Sequence, residues 1–358
     1  MTFELTSIQK GVTENLRSFL AANRESVDVI DPHVKVAADA LAQFVISGGK
    51  RVRPLYAWAG YIGGGGDKDN EAVQRACSSL EFIQACALVH DDIIDASDTR
   101  RGNPTVHRTM EAYLNGSDEF TGSPEMAEEF GRSVAILIGD LALVWAEDMF
   151  MESGVPLDQL MRARPAWKAM RAEVIGGQIL DISAEAMGET SFDTARRVNV
   201  YKTASYTIAR PLQIGGMLAG VDEDTLEAYR GYGHNLGIAF QLRDDLLGVF
   251  GDPQVTGKPA GDDLREGKRT ELLAAAVDLT HDTSDAEFLL NKVGATTDPQ
   301  EIEAMAEIIR TSGAVDVIEE RIENLRDEGL RYLQGASISA ETTRILTELA
   351  VKTTQRAK

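Results

Sequence analysis

The sequence predicts an all-α protein, and three observations carry that expectation. Apolar residues recur three or four positions apart through long stretches rich in Ala, Leu, Glu, Arg and Met, which is the period of one helix face. Alternation of apolar and polar residues, the mark of a half-buried strand, is scarce. Short Gly, Pro or Asp punctuation separates the periodic stretches, as helix ends require. No linker divides the 358 residues. Residues 1–358 are therefore expected to form a single domain, a bundle of about ten or more helices with a large core.

The first stretch mixes acidic and polar residues with apolar ones, so 6–22 is expected to be an amphipathic helix and not a signal peptide. Helices follow over 32–47 and 52–62. Residues 63–66 are all glycine with no Lys-Ser/Thr after them, which makes them a flexible connector and not a phosphate loop. A helix over 69–97 carries Leu80, Ile83, Ala87 and Leu88 on an apolar side, and Gly102 with Pro104 stops it soon after. Beyond a helix over 104–114, residues 115–132 read as an exposed acidic loop running into a helix over 124–152. The most apolar run, 134–145, is interrupted by Asp140 and is too short to span a bilayer, so a buried helix is expected and no transmembrane segment. Helices over 157–186, 191–218, 223–249, 268–279, 283–294, 299–311, 314–333 and 339–353 complete the chain.

Composition narrows the function. With 36 Lys and Arg against 57 Asp and Glu, the net charge of −21 disfavours nucleic acid and anionic membrane surfaces as partners. An anionic substrate must then be captured by local basic residues. Cys77 and Cys86 are the only cysteines and lack zinc-type spacing; buried thiols in a reducing cytoplasm are expected.

Two segments place clustered aspartates at the end of an apolar helix: HDDIIDASDTRR, with Asp91, Asp92, Asp95 and Asp98, and QLRDDLLGVFGDP, with Asp244 and Asp245. The partial negative charge of a helix C-terminus disfavours each such carboxylate by roughly 0.3–1 kcal/mol, and neighbouring carboxylates repel one another besides. Something cationic must compensate them. Asp91 and Asp95 lie one turn apart on nearly the same face, with Asp92 about 100° round from Asp91. Two carboxylates thus face one ion at the mouth of an apolar pocket. Oxygen donors without Cys or His suit Mg²⁺, which shares a few carboxylates with water and substrate phosphates. The metal in turn implies a phosphorylated substrate.

DDIID followed by TRRG, the upstream GGKRVRP, the central KTA and GQ..D, and the later FQLRDD with GDP and TGK, in this order and spacing, resemble the trans-isoprenyl diphosphate synthases. The likeness runs over residues 48–269, and within the family the chain looks most like bacterial geranylgeranyl diphosphate synthases. It implies the isoprenoid synthase fold, with helices around a central active-site cavity, and a homodimer. It also implies a reaction: an allylic diphosphate ionises, isopentenyl diphosphate attacks the cation head to tail, and proton loss leaves a chain five carbons longer. Carboxylates from the two distant segments are then expected to converge on the departing diphosphate through divalent ions.

By the same resemblance Asp91, Asp95 and Asp244 are Mg²⁺ ligands, with Asp92 supporting, for up to three ions. Lys50, Arg53, Gln84 and Arg101 hold isopentenyl diphosphate. Arg100, Lys202, Lys258 and Lys268 hold the allylic diphosphate, with polar contacts from Thr203 and Gln241, and Gln178 and Asp181 match the GQxxD element. Arginine's planar fork suits bidentate phosphate contacts and lysine adds a movable charge. The second motif departs from DDxxD, because Gly248 stands where the last aspartate belongs. Asp252 precedes Pro253 in a turn and is not expected to replace it, and of the adjacent pair Asp262 and Asp263 the second is preferred as the family's aspartate. His90 is expected to pack and not to act as a base, the proton leaving to the released diphosphate.

Product length should follow the depth of the apolar tunnel below the aspartates. Ala87 and Cys86 precede Asp91 by about one helix turn and Ile83 by two. In the family, bulky aromatics at the first two positions stop growth early, so these small residues argue against a farnesyl stop and for a C20 geranylgeranyl product. Phe82 and Ile83 leave longer products as the alternative. A terpene cyclase needs no second diphosphate site, and a noncatalytic subunit of a heteromeric synthase would tolerate loss of motif acids; the basic set and the complete first motif speak against both.

Overall fold

A computed structural model describes residues 5–100, 102–253 and 259–354. Among them the regular structure is helical except for one two-stranded hairpin, as expected. The chain forms two compact units, Met1–Trp58 with Gly66–Arg162, and Ala59–Gly65 with Ala163–Lys358. Among the described residues no helix is long and apolar enough to cross a membrane.

The first unit contains α1 (Leu5–Asp28), α2 (Pro32–Ile46), α4 (Glu71–Ser78), α5 (Leu80–Ile94), strands β1 (Thr99–Arg100) and β2 (Asn103–Pro104), α6 (Val106–Asn115) and α7 (Pro124–Met151); α3 (Val52–Gly63) and α8 (Leu157–Met187) contribute residues to both units. Local chemistry sets the helix starts. Asp31 accepts the His33 amide at 2.8 Å with Pro32 in the first turn, and Ser123 caps α7 ahead of Pro124. That cap corrects the long loop expected over 115–132, since only 116–123 lie outside helices. The expected helix over 69–97 is likewise two helices. Ser79 separates them, its hydroxyl donating to the Ala76 carbonyl at 2.6 Å in competition with the helical ladder. α5 and α6 pack on α7. Phe19, Phe82 and Trp145 meet edge to face, with centroids 5.4, 6.0 and 6.2 Å apart.

The second unit is organised around α11 (Glu223–Phe250), capped by Asp222 on the Thr225 amide. It also holds α9 (Phe192–Val198), α10 (Arg210–Ala219), α12 (Asp262–Glu266), α13 (Glu271–Leu279), α14 (Ser284–Lys292), α15 (Pro299–Thr311), α16 (Ala314–Tyr332) and α17 (Ala340–Thr354). Leu242 and Leu246 of α11 share a buried core with Leu272, Leu273, Ile309 and Ile318. The helix expected over 191–218 is interrupted by a π-helical segment, Asn199–Ala209, and α12 was not foreseen. π geometry is rare and concentrates at functional sites; Lys202 and Thr203 lie within it.

Small residues bring this segment close to its neighbours. A Cβ on Gly237 would overlap Ala204, one on Gly233 would overlap Ala209, and one on Gly177 of α8 would overlap the Lys202 backbone. Gly176, next to Gly177, faces open space. Gly237→Ala should therefore destabilise the chain by about 1–3 kcal/mol through overpacking. Gly176→Ala should leave it unchanged or stabilise it by roughly 0.5–1 kcal/mol. Urea denaturation followed by circular dichroism measures both.

Candidate active site

The first acidic cluster caps α5. Asp91 is half-buried and Asp92 fully buried; Asp95 closes the helix by donating its amide to the Asp91 carbonyl at 2.8 Å. The chain then turns through Ala96, at φ 50°, into the hairpin, where Gly102 at φ 74° permits the reversal. This short hairpin, invisible to periodicity, brings Arg100 back over the cluster. Its Nε donates to Asp92 Oδ1 at 2.6 Å, and Nη2 lies 3.5 Å from Asp91 Oδ2. Burial works against the guanidinium charge, but Asp92, Asp91 and Asp95 outweigh it and hold Arg100 above its ordinary pKa. Arg108 of α6 donates to Asp98 Oδ1 at 2.7 Å and pins the base of the hairpin.

Of the residues expected on isopentenyl diphosphate, Lys50 is exposed, Arg53 buried and Gln84 half-buried. All lie in the first unit. Arg101 and Lys258 lie outside the described residues.

The second unit brings the expected allylic-side residue Lys202 to Asp181 of the GQxxD element, and Thr203 to Gln241. Lys202 forms a close ion pair with Asp181 of α8, one turn beyond half-buried Gln178. Thr203 donates its hydroxyl to Gln241 Oε1 at 2.6 Å, and Gln241 Nε2 donates to Asp245 Oδ1 at 2.7 Å. Glu173 of α8 accepts from Arg210 Nε at 2.9 Å and from the Ser205 hydroxyl, tying the π segment down at its other end. No local spacing announces this tie, since Glu173 and Arg210 are 37 residues apart.

Asp244 and Asp245 are adjacent but differ. Asp244 is half-buried, whereas Asp245 is 3% exposed and its Oδ2 has no hydrogen-bond partner. Burial pushes the Asp245 carboxyl well above the usual range, and the charge of Asp263 adds to the shift.

Gly248 explains that neighbour. A Cβ there would fall far inside contact with the Asp263 carboxylate, so the Asp263 side chain, carried by α12, occupies the volume a residue at 248 would need. Lys268 lies 2.6 Å from Glu266 and 3.4 Å from Asp263. Asp262 turns to Arg265 at 2.5 Å, and Asp252 is exposed just past α11. Of the adjacent pair, Asp263 thus lies against α11 while Asp262 pairs within α12.

The donor chemistry of each cluster suits Mg²⁺. Each acidic cluster offers oxygen donors alone, the second includes the Asp245 carboxylate oxygen that has no hydrogen-bond partner, and among the described residues no three acidic, His or Cys side chains stand where they could hold an ion by themselves. An ion that keeps water and shares substrate phosphates needs no cage.

Along α5, Ile83, Ala87 and Asp91 share one face, and Phe82, Cys86 and His90 the next. Cys86 Sγ lies 3.8 Å from His90 Nδ1, and His90 Nε2 meets the Ile136 carbonyl of α7 at 3.0 Å. Both cysteines are free and buried. Burial and the charge of Asp140 push the Cys86 thiol up to about 12.

Two substitutions test the electrostatics of the second cluster. Gly248→Asp should displace Asp263 and destabilise the chain by about 1–3 kcal/mol. Asp245→Asn keeps an acceptor for Gln241 but removes the buried charge, and should stabilise the metal-free chain by on the order of 1 kcal/mol. Chemical denaturation at neutral pH with chelator present gives both signs.

Comparison with known proteins extends this picture. A family model described as Polyprenyl synthetase matches residues 34–311. Geranylfarnesyl diphosphate synthase of Aeropyrum pernix is 31% identical over 328 residues, 89% of this chain and 94% of that one. The (2E,6E)-farnesyl diphosphate synthase of Mycobacterium tuberculosis is 30% identical over 303 residues, 81% and 77% of the two chains. A crystal structure of geranylgeranyl pyrophosphate synthase from Corynebacterium glutamicum, complexed with isoprenyl diphosphate and magnesium, has a TM-score of 0.95 at 49% identity, over 99% of this chain and 100% of that one. These relatives differ in the product their names give but share one family, and the chain belongs to it: the polyprenyl synthetases.

Proposed function

We propose that the chain is a trans-prenyltransferase that condenses isopentenyl diphosphate with an allylic diphosphate, head to tail, to make an all-trans prenyl diphosphate of twenty carbons. The observation that carries this reading is the pairing of acid with cation within each unit: Arg100 on Asp92 and Asp91, and Lys202 on Asp181. A magnesium diphosphate presents both kinds of partner at once. Its metal suits the carboxylates and its oxygens suit the cations, so the exchange on binding conserves charge.

Asp91, Asp95 and Asp244 would hold Mg²⁺, up to three ions with the diphosphate, with Asp92 supporting from its buried position. The bound metal would supply electrostatic stabilisation of the departing diphosphate. Arg100, Lys202, Lys258 and Lys268 bind the same group, and Lys50, Arg53, Gln84 and Arg101 bind the diphosphate of the second substrate. Thr203 and Gln241 orient the allylic side. Gln178 and Asp181 lie on one face of α8, Asp181 holding Lys202. No side chain acts as a nucleophile, so the chemistry is charge stabilisation by fixed groups. The proton lost at the end passes to the released diphosphate.

A C20 product is supported by the small Ala87 in line with Asp91 and by the likeness to the Corynebacterium glutamicum synthase. We further propose a cytoplasmic homodimer. Exposed Ile136, Leu137 and Val144 on one side of α7 give it an apolar face to cover, and free buried thiols fit a reducing compartment.

Purified chain incubated with Mg²⁺, labelled isopentenyl diphosphate and dimethylallyl, geranyl or farnesyl diphosphate in turn should yield geranylgeranyl diphosphate, identified by chromatography against standards. No product without the allylic partner is expected. Ala87→Phe should shorten the product, and more so than Cys86→Phe, whose ring would point toward α7. An unchanged product distribution in Ala87→Phe would refute the tunnel assignment.

A further inference from the structure

The loop between α2 and α3 has an unusual backbone. Gly48, Gly49 and Arg51 take φ values of 148°, 125° and 52°. The glycines adopt them freely, but for Arg51 the left-handed region is sterically disfavoured. Arg51 is also buried. Its Nη1 donates to Glu81 Oε2 of α5 at 2.5 Å and its Nη2 to the Ile46 carbonyl at 3.4 Å, and both members of the pair have side chains only 4% exposed. Glu81 Oε1 is buried without a hydrogen-bond partner.

Such a pair is a poor device for stability. Removing two charges from water costs more than their attraction commonly returns, and well-packed apolar residues of similar volume often serve as well or better. A strained backbone and an orphaned carboxylate oxygen add to that cost. The arrangement does fix position. Arg51 stands between Lys50 and Arg53, while Glu81 and Gln84 lie one turn apart on α5. A small cavity where the pair meets Gln84 is lined by Phe44, Gly48, Arg51, Glu81, Gln84 and Leu88.

We propose that Arg51 and Glu81 are positioning residues, a buried clamp that holds Lys50 of the loop, Arg53 in the first turn of α3 and Gln84 of α5 at the spacing one diphosphate requires. The pair acts through those three residues. This inference rests on reading Lys50, Arg53 and Gln84 as the isopentenyl diphosphate set.

The double variant Arg51→Met/Glu81→Leu removes both charges at similar volume and should melt close to the parent. Its KM for isopentenyl diphosphate should rise by about tenfold or more, while the KM for the allylic diphosphate stays within about twofold. Calorimetric Kd for isopentenyl diphosphate should rise in step. Arg51→Lys keeps the charge but loses the fork, and should show a smaller rise in the same KM. The proposal is overturned if the double variant folds and binds isopentenyl diphosphate like the parent, or if both KM values rise together. Should the double variant fail to fold, an unchanged KM in Arg51→Lys overturns it equally. A parent chain that does not bind isopentenyl diphosphate would instead remove the assignment of Lys50, Arg53 and Gln84, and this inference with it.

Discussion

Repulsion between carboxylates governs this molecule. Two unit charges about 4 Å apart interact by roughly 4 kcal/mol near a protein surface, comparable to much of the net stability of a domain. The chain carries a large excess of acids and still gathers several at the ends of α5 and α11. Cations reach acids in and around these gatherings by short, fixed routes. Arg100 reaches Asp92 over eight residues through the hairpin, and Lys268 reaches Asp263 over five through α12. Lys202 reaches Asp181 because Gly177 lets α8 approach the π segment.

Packing in the second unit serves the same end. Gly233 and Gly237 bring α11 against Ala209 and Ala204, which puts Thr203 within reach of Gln241 and joins both to Asp245. A larger residue at either glycine would separate the cation-bearing segment from the helix that bears the acids. The backbone contacts are thus as much a part of the site as the side chains, and Glu173, through Arg210 and Ser205, keeps the π segment seated.

Most of the helices were legible in the sequence, because their apolar period extends over many turns and their starts carry Asp, Ser or Thr caps with Pro behind them. The places where reading by period fell short share a cause. Ser79 splits a helix by one side-chain hydrogen bond, and the hairpin before α6 is too short to show a strand pattern. The π segment keeps a helical composition, and glycines on other helices let it pack closely. For the candidate site, motif order made legible which acids and cations to look for, and Arg100 does lie on Asp91 and Asp92. Pairings set by tertiary contact, such as Glu173 with Arg210 or Arg51 with Glu81, were not, since nothing in the spacing of those residues relates them.

Gly248 shows how the same constraint shapes the motif itself. An aspartate at 248 would stand one turn from Asp244 on α11, a like-charge pair of the kind that destabilises a helix, beside an Asp245 whose burial already disfavours its charge. Asp263 delivers a carboxylate to that volume from a different segment, and it comes with Lys268 within 3.4 Å. The acid thereby enters with its counter-charge attached. What reads in the sequence as a lost ligand is, in the folded chain, room made for a carboxylate whose repulsion is already partly offset.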